Sequence, residues 1–287
     1  MPDLKQLERF ETGVMFWAGR DPMETLTEMN DLGVRCGQLG IPGDLDLACG
    51  RLWQSALRQT GFIVTTVFAA FRGESYADKP TVRDTVGFIP PSTRAEREKR
   101  TCEVSDFAAE IGAPAIATHI GCVPEDPQHP DHTGVREMVV RICDYAAAKG
   151  QRFALETGQE SAPVLLEFIR EVNRSNLGIN FDPANMILYG TGDPVEALAI
   201  LGGKVFSVHC KDGDWPPSDQ PEALGSEKAL GTGSVGMERF LRQLVKIGYQ
   251  GPLAVERETH DPAERLRDIQ SGILLLNRLK PAVLQTA

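Results

Sequence analysis

GINFDPANMILYGTGDPVEALAILGGKVFSVHCK, residues 178–211, contains a complete strand–helix–strand unit. Its two apolar runs, at 178–181 and 205–211, have the length and composition of strands that are buried on both faces of a parallel sheet. The DPVE sequence at 193–196 is a helix start signal, because the Asp oxygen accepts unpaired amide hydrogens of the first turn and Pro has no N–H to leave unpaired there. The stretch therefore predicts two parallel strands joined by a helix.

Six more apolar or β-branched runs repeat this pattern along the chain. They lie at 13–18, 34–40, 63–69, 115–121, 152–156 and 253–258. The stretches between them have helical spacing, and the Asp-Pro start signal recurs at 21–22 and 261–262. Eight strands that alternate with eight helices predict a single (β/α)₈ TIM-barrel domain over residues 1–287. The competing fold is a doubly wound open sheet, which usually has fewer strands in a chain of this length.

The last four predicted strands each end on an ionisable side chain. These residues are Glu156, Asp182, His209 and Glu256. The carboxyl ends of the strands of a barrel share one rim, where barrel enzymes build their active sites. Crowded carboxylates repel one another unless a cation offsets them. Three carboxylates and one imidazole suit Mn²⁺, Mg²⁺, Co²⁺ or Zn²⁺, so the sequence predicts one divalent metal site with room for a substrate.

Six segments, in the expected order, resemble the xylose-isomerase-like superfamily in its sugar isomerase and epimerase branch. They are THIG at 118–121, ALETG at 154–158, NFDPANMILYGTGDPVEAL at 180–198, VHCKD at 208–212, LGTGSVG at 230–236 and GYQGPLAVERE at 248–258. That branch includes tagatose-type 3-epimerases and hydroxypyruvate isomerases. The resemblance implies that the four strand-end residues bind one metal ion, most often Mn²⁺. It also implies that Glu156 and Glu256 form an acid–base pair across the substrate.

The resemblance also implies substrate contacts at the rim. His119 corresponds to a histidine of the fourth strand that contacts substrate, and Lys211 to the lysine that follows the metal-binding histidine in H-x-K-D. The chain departs from tagatose-type epimerases at Asn185, where they have histidine, and it lacks their arginine shortly after His209. These departures argue against a tagatose-type substrate but not against the metal site. Asn185 is therefore predicted to face a different substrate.

The predicted site indicates a metal-dependent isomerase or epimerase of a ketose or related hydroxy-ketone. The reaction would pass through an enediolate, which a divalent cation stabilises and which forms when a carboxylate takes a proton beside the carbonyl. A dehydratase or lyase acting on a keto-sugar or inosose stays open, because an enediolate can also expel a β-hydroxyl. A non-catalytic sugar-binding barrel also stays open, as does a phosphodiesterase of the apurinic-endonuclease type, although such enzymes usually have more histidines than the five here.

The composition limits the partners of the protein. A formal net charge of -10 argues against nucleic acid as the main partner, since phosphate contacts need Lys and Arg.

A cytoplasmic protein is expected, because the chain has no apolar run long enough for a bilayer and no signal-peptide pattern at its N-terminus. The G-x-G-x-x-G at 231–236 follows a polar segment instead of a strand, so no nucleotide cofactor is expected. A small-molecule substrate is the expected partner, and a homo-oligomer stays open.

Two long connections and two further side chains are assigned near the rim. Residues 71–91 and 212–236 follow the third and seventh predicted strands and are expected to form lids or binding walls. Trp17, on the first strand, is expected to fill the core, and a place in an apolar pocket wall is the alternative. Tyr76, on the first long connection, is a candidate lid contact. Gln38, near the end of the second strand, has two interpretations: a hydrogen bond to a substrate hydroxyl, and a buried structural role.

Overall fold

Helices begin where the Asp-Pro signals predict them in the computed structural model, which describes residues 6–285. Asp21, Asp193 and Asp261 each cap a helix, and their side chains accept a first-turn N–H at 2.8–2.9 Å. Proline occupies the first helical position in all three. The helix starts are therefore determined locally, by the side chains that satisfy the first amide groups.

Strands and helices alternate along the chain, with extra elements in the two long connections. The strands are β1 Thr12–Trp17, β2 Cys36–Ile41, β3 Ile63–Ala69, β4 Ala115–Thr118, β5 Arg152–Glu156, β6 Leu177–Phe181, β7 Val205–Cys210, β8 Asp212–Asp214, β9 Ser226–Lys228 and β10 Leu253–Val255. The helices are α1 Pro22–Asp31, α2 Gly50–Thr60, α3 Lys79–Thr85, α4 Pro91–Ile111, α5 Pro130–Ala147, α6 Ala162–Val172, α7 Pro183–Tyr189, α8 Pro194–Leu201, α9 Met237–Lys246 and α10 Pro262–Leu284.

Eight of the strands close into a parallel barrel in the order β1-β10-β7-β6-β5-β4-β3-β2. β10 pairs with both β7 and β1 and so closes the sheet, whereas β8 and β9 form an antiparallel hairpin outside it. The main apolar core lies between the barrel and its helices. The predicted (β/α)₈ barrel is confirmed.

Among residues 6–285, no helix combines the length and apolarity that a membrane crossing requires.

Inside the barrel, a small apolar cluster lies beneath the rim. Met15, Phe68, Ala117 and Ala154 pack together there, although they come from four different strands. Because side chains alternate between the two faces of a strand, the residue two positions after Ala154 also faces inward. That residue is Glu156. The same alternation directs the other strand-end side chains into the mouth of the barrel.

The structure corrects the predicted ends of two strands and the description of the long connections. β4 and β10 end three residues earlier than predicted, because their ladders end at the pairs Thr118–Leu155 and Val255–Cys210. The residues that follow belong to the rim. The connection at 71–91 contains α3, and the one at 212–236 contains the β8–β9 hairpin.

The two long connections join above the barrel mouth. The backbone N–H of Lys79 donates to the carbonyl of Glu222 at 3.1 Å, and its ammonium donates to Pro221 at 3.0 Å. Arg83 forms an ion pair with Glu222 at 3.3 Å. Together they form a roof over the rim.

Candidate active site

Four ionisable side chains meet at the mouth of the barrel. One ligand atom from each of Glu156, Asp182, His209 and Glu256 lies within 4.8 Å of the other three. Glu156 and His209 belong to β5 and β7, and Asp182 and Glu256 directly follow β6 and β10. All four are buried. The structure thus brings together the four residues that the sequence predicts as ligands.

Hydrogen bonds orient Asp182 and His209 toward a common centre. The Asp182 Oδ1 caps α7 and accepts the N–H groups of Ala184 and Asn185 at 2.8 and 3.1 Å, which leaves Oδ2 free. The His209 Nε2 lies 3.2 Å from the Gln38 Oε1 and donates to it, so Nδ1 is the ring nitrogen that faces the cluster. Nδ1 is directed at the two glutamates of the cluster.

Two carboxylates of the cluster face the ring of His209. The His209 Nδ1 lies 2.7 Å from the Glu156 Oε1 and 3.0 Å from the Glu256 Oε2. Burial lowers the pKa of His209, but the carboxylates of Glu256 and Glu156 outweigh it and raise this pKa well above its ordinary value.

Three buried atoms of the cluster have no hydrogen-bond partner among residues 6–285. They are the Asp182 Oδ2, the His209 Nδ1 and the Glu256 Oε2. Buried polar atoms without a partner are rare because they lose their hydration without compensation. A divalent cation would satisfy all three at once, so the donor set fits a metal ion without determining which one.

Gln38 lies behind His209 instead of lining the cavity. It is 2% exposed, and its amide donates to the Asn180 Oδ1 at 3.2 Å and to the Val208 carbonyl at 3.3 Å. β2 and β6 are opposite each other in the barrel order, so this contact crosses the interior. Ser207 donates to the same Asn180 oxygen at 2.6 Å. Of the two interpretations of Gln38, the structure therefore agrees with the buried structural role. The side chain does not reach the cavity where a substrate would bind.

The predicted contacts His119, Lys211 and Asn185 do line the cavity. The His119 Nε2 lies 2.6 Å from the Glu156 Oε2. Burial lowers the pKa of His119, but the adjacent Glu156 outweighs it and raises this pKa to about 9. The His119 ring therefore orients one oxygen of Glu156.

Lys211 joins several acidic groups on the opposite side of the cavity. Its Nζ lies 3.4 Å from the Glu256 Oε2 and 3.5 Å from the Asn185 Oδ1, and it forms a short ion pair with Glu258. The Asp182 Oδ2 lies at 3.7 Å. This lysine of the cavity wall is therefore already compensated by carboxylates.

The cavity above the cluster has a volume of about 610 Å³. Sequence reasoning missed three of its walls: Glu74, Tyr189 and Glu258. The expectation that Trp17 fills the core is wrong, because this side chain follows the inward face of β1 beyond the apolar cluster and is 43% exposed. The first long connection provides Glu74 and Tyr76, as expected for a binding wall.

Glu74 fixes the first of these connections. Its carboxylate accepts the N–H groups of Phe71 and Gly87 at 3.1 and 2.8 Å, which ties the start of the connection to its end. Burial raises the pKa of Glu74. The only sequence signal for this residue was its place in a long loop at the carboxyl end of a strand.

A family model described as xylose isomerase-like TIM barrel matches residues 26–279. The chain belongs to this family. A solved structure of a xylose isomerase domain protein from Planctomyces limnophilus is 44% identical and superposes with a TM-score of 0.92, over 96% of this chain and 99% of that chain.

Two more distant structures share the fold of this xylose isomerase-like barrel. The D-allulose 3-epimerase from Methylomonas sp. is 18% identical, with a TM-score of 0.65 over 94% of this chain and 96% of that chain. The mannonate dehydratase from Streptococcus suis serotype 2 is 12% identical, with a TM-score of 0.69 over 96% of this chain and 95% of that chain.

A curated sequence relative, an uncharacterized protein from Methanocaldococcus jannaschii, is 26% identical. The match covers 63% of this chain and 65% of the relative's length.

A buried carboxyl outside the four-residue cluster gives this xylose isomerase-like barrel a testable pH dependence. Glu160 accepts the Val123 N–H at 2.8 Å, and burial raises its pKa from 4.5 to about 7. The folded state therefore holds this proton more tightly than the unfolded state. Ionisation of Glu160 thus costs stability progressively as the pH rises from about 4.5 to about 7.

We expect Glu160→Gln to remove this cost, because an amide oxygen can still accept the Val123 N–H but cannot ionise. The unfolding free energy of the variant relative to wild type should rise between pH 4.5 and 7, by up to about 3 kcal/mol. Urea unfolding at pH 5 and pH 8 measures the difference. The exposed Glu167→Gln on α6 is the control. The same pH dependence in Glu160→Gln and wild type would contradict the assignment.

Proposed function

We propose that this protein is a divalent-metal-dependent isomerase or epimerase of a ketose or related hydroxy-ketone. The observation that carries the proposal is the convergence of Glu156, Asp182, His209 and Glu256 at the floor of a large cavity, where three of their buried ligand atoms form no hydrogen bond with residues 6–285. Sugar epimerases among the proteins of this fold support the proposal. A small-molecule substrate fits both the cavity and the fold.

The four residues of the cluster would hold one divalent ion, for which we propose Mn²⁺. When bound, the ion stabilises negative charge that develops on the oxygens of the substrate. Gln38 acts as a positioning residue, since it fixes the His209 ring with Nδ1 toward the centre. Asn180, which is itself bonded to Gln38, donates to the Glu156 Oε1 at 3.4 Å.

Glu156 and Glu256 would move the protons. They follow strands that are three positions apart in the barrel order, so they approach the cavity from different sides. His119 holds Glu156 and Lys211 lies beside Glu256, so each carboxylate has its own basic neighbour. If one takes the proton beside the carbonyl and the other returns it to the opposite face, the stereocentre inverts. Return to the neighbouring carbon gives the aldose–ketose isomer.

Deuterium incorporation tests this proposal directly. A panel of neutral ketoses, keto-acids and inososes is incubated in D₂O with the Mn²⁺-supplemented protein and followed by NMR. We expect exchange of a carbon-bound proton beside the carbonyl in at least one neutral sugar. If the metal-loaded protein exchanges no proton in any member of the panel, the proposed function is wrong.

A dehydratase is the second candidate, because Lys211 places an ammonium beside the cluster. This group lies 3.4 Å from the Glu256 Oε2 and lines the cavity, where it could protonate a departing hydroxyl. The fold also occurs in a mannonate dehydratase. NMR of the products distinguishes the two reactions, because dehydration yields a new deoxy or unsaturated carbon and isomerisation does not.

A further inference from the structure

A small basic cavity lies between α4 and the start of the first long connection. It has a volume of about 250 Å³, and none of its lining residues lines the catalytic cavity. Most of the charged side chains in its lining are cations, although the chain as a whole has a net charge of -10. These charged residues are Arg72, Arg97, Lys99, Arg100, Glu96 and Glu103. The cavity is therefore a separate space with an excess of positive charge.

Arg97 is a buried cation of this cavity without a carboxylate partner. It is 4% exposed, and its guanidinium donates to the carbonyls of Gly87 and, at 3.4 Å, Arg72. Arg94 on the same helix forms an ion pair with Asp131 at 2.8 Å, whereas Arg97 forms none with residues 6–285. Burial accordingly lowers the pKa of Arg97. A buried charge is costly unless an opposite charge compensates it, so this position favours a bound anion.

Two more arginines offer unused donors to the same space. The Arg100 Nε is buried and has no hydrogen-bond partner within residues 6–285. The other end of this guanidinium donates to the carbonyls of Pro42 and Leu45 at 3.0 and 2.8 Å, which fixes it in the wall. Arg72 uses its carbonyl to accept from Arg97, but its side chain forms no hydrogen bond or ion pair in the described part of the chain. The cavity thus has cationic donors that the protein itself does not use.

The charge and size of the cavity fit a phosphate group. Four cations and two carboxylates line it, which leaves two positive charges, and a phosphate monoester carries nearly two negative charges at neutral pH. Planar guanidinium groups match phosphate oxygens in geometry as well as in charge. A volume of about 250 Å³ is smaller than the roughly 300–1,000 Å³ of pockets for drug-sized ligands, so the ligand must be small.

The same arginine fastens a segment that forms a wall of the catalytic cavity. Arg97 donates to the Gly87 carbonyl, and Glu74, which lines the catalytic cavity, accepts the Gly87 N–H at 2.8 Å. Glu74 also accepts the Phe71 N–H, and the Arg97 guanidinium lies over the Phe71 ring, 5.4 Å from its centroid. Arg97 and Glu74 therefore hold the two ends of the same connection, one from each cavity.

We propose that this basic cavity binds a phosphate, free or as part of a small monoester, and that the bound anion fastens the first long connection to α4. Arg97 and Arg100 contribute guanidinium groups from the helix, and Arg72 contributes one from the connection. Lys99, which is 79% exposed, adds charge from the solvent side. The site is an effector site outside the catalytic cavity, and it does not depend on the reaction proposed above.

Calorimetry on the full chain at constant ionic strength tests the site without any substrate. The probes are inorganic phosphate and glycerol 3-phosphate, with glycerol as the uncharged control. We expect saturable binding of at least one anion with a Kd below about 1 mM, and no binding of glycerol. Tighter binding of glycerol 3-phosphate would identify a monoester as the ligand, and tighter binding of inorganic phosphate would identify the free ion. If neither anion binds saturably, the proposal is wrong.

Charge reversal at the two exposed cations locates the bound anion. Arg72→Glu combined with Lys99→Glu should weaken phosphate binding by about tenfold or more, because two attractive charges become repulsive. Both side chains are exposed, so the variant should fold, and Arg97 is kept because it also holds Gly87. The matched control is Arg58→Glu with Lys246→Glu, at exposed positions that line neither cavity. An unchanged affinity in the first variant would place the phosphate elsewhere, such as at the metal cluster, and would overturn the site.

Hydrogen exchange followed by mass spectrometry tests the fastening of the connection. Saturating phosphate should slow amide exchange in residues 71–89 of wild type and of the control variant, because the anion joins this segment to α4. It should have little effect on the variant with charge reversal at Arg72 and Lys99. Saturable binding that leaves exchange in this segment unchanged would refute the effector role.

Discussion

Glu156→Gln should lower proton exchange in the substrate by about 10²–10⁴-fold, the usual contribution of a positioned acid or base. The amide keeps the size of the side chain but cannot accept a proton from carbon. Glu256→Gln should have an effect of the same order, because the reaction needs a group on each side of the substrate. The measurement is the initial rate of deuterium incorporation at saturating Mn²⁺.

Metal occupancy must be measured with these rates, because both glutamates also belong to the metal cluster. Elemental analysis of each variant distinguishes the loss of a metal ligand from the loss of an acid–base group. A variant that keeps its full metal content but incorporates deuterium slowly supports the acid–base role. Glu238→Gln on the exposed face of α9 is the control, since this residue forms its ion pair with Arg242 on the same helix. A rate near that of wild type in either catalytic variant would refute the assignment.

Asp182→Asn should reduce bound metal from about one ion per chain to almost none, because it removes a ligand charge. Asparagine is as good a helix cap as aspartate, so α7 should still form. If the ion is present at about a hundredfold excess over its dissociation constant, it stabilises the folded state by about 2.7 kcal/mol. EDTA should then lower the Tm of wild type by roughly 5–10 °C and have little effect on the variant.

Asp193→Asn is the matched control for this experiment. Asp193 caps α8 with the same pattern, accepting the N–H groups of Val195 and Glu196 at 2.8 and 3.1 Å, but it lies outside the metal cluster. The control should therefore keep its metal and its response to EDTA. His209→Ala should behave like Asp182→Asn. Full metal occupancy in both cluster variants would show that the ion binds elsewhere or is not held by these residues.

The barrel and the convergence of four ionisable residues at its mouth could be predicted because their signals are local. An apolar run that ends on one ionisable residue is visible at Glu156 and Glu256 without any knowledge of the neighbouring strands. The period of two along each strand and the shared rim of a barrel then predict convergence. Asp-Pro caps predicted the helix starts for the same reason, since they depend only on the first turn.

The walls of the cavity could not be predicted in this way. Trp17 has the composition of a core residue, and only the end of the apolar cluster at Met15 and Phe68 leaves it exposed. Glu74 and Tyr76 enter the cavity because a long connection folds back and is joined to the β8–β9 segment. Such contacts depend on which loops meet in space, and composition does not encode that.

The sequence by itself determined the class of fold, the helix starts and the side chains that converge at the rim, because periodicity and capping act over a few residues. Tertiary structure alone decided that Gln38 crosses the barrel to orient His209. The physical reason is barrel closure. It brings β2 opposite β6, and this contact joins residues far apart in the chain.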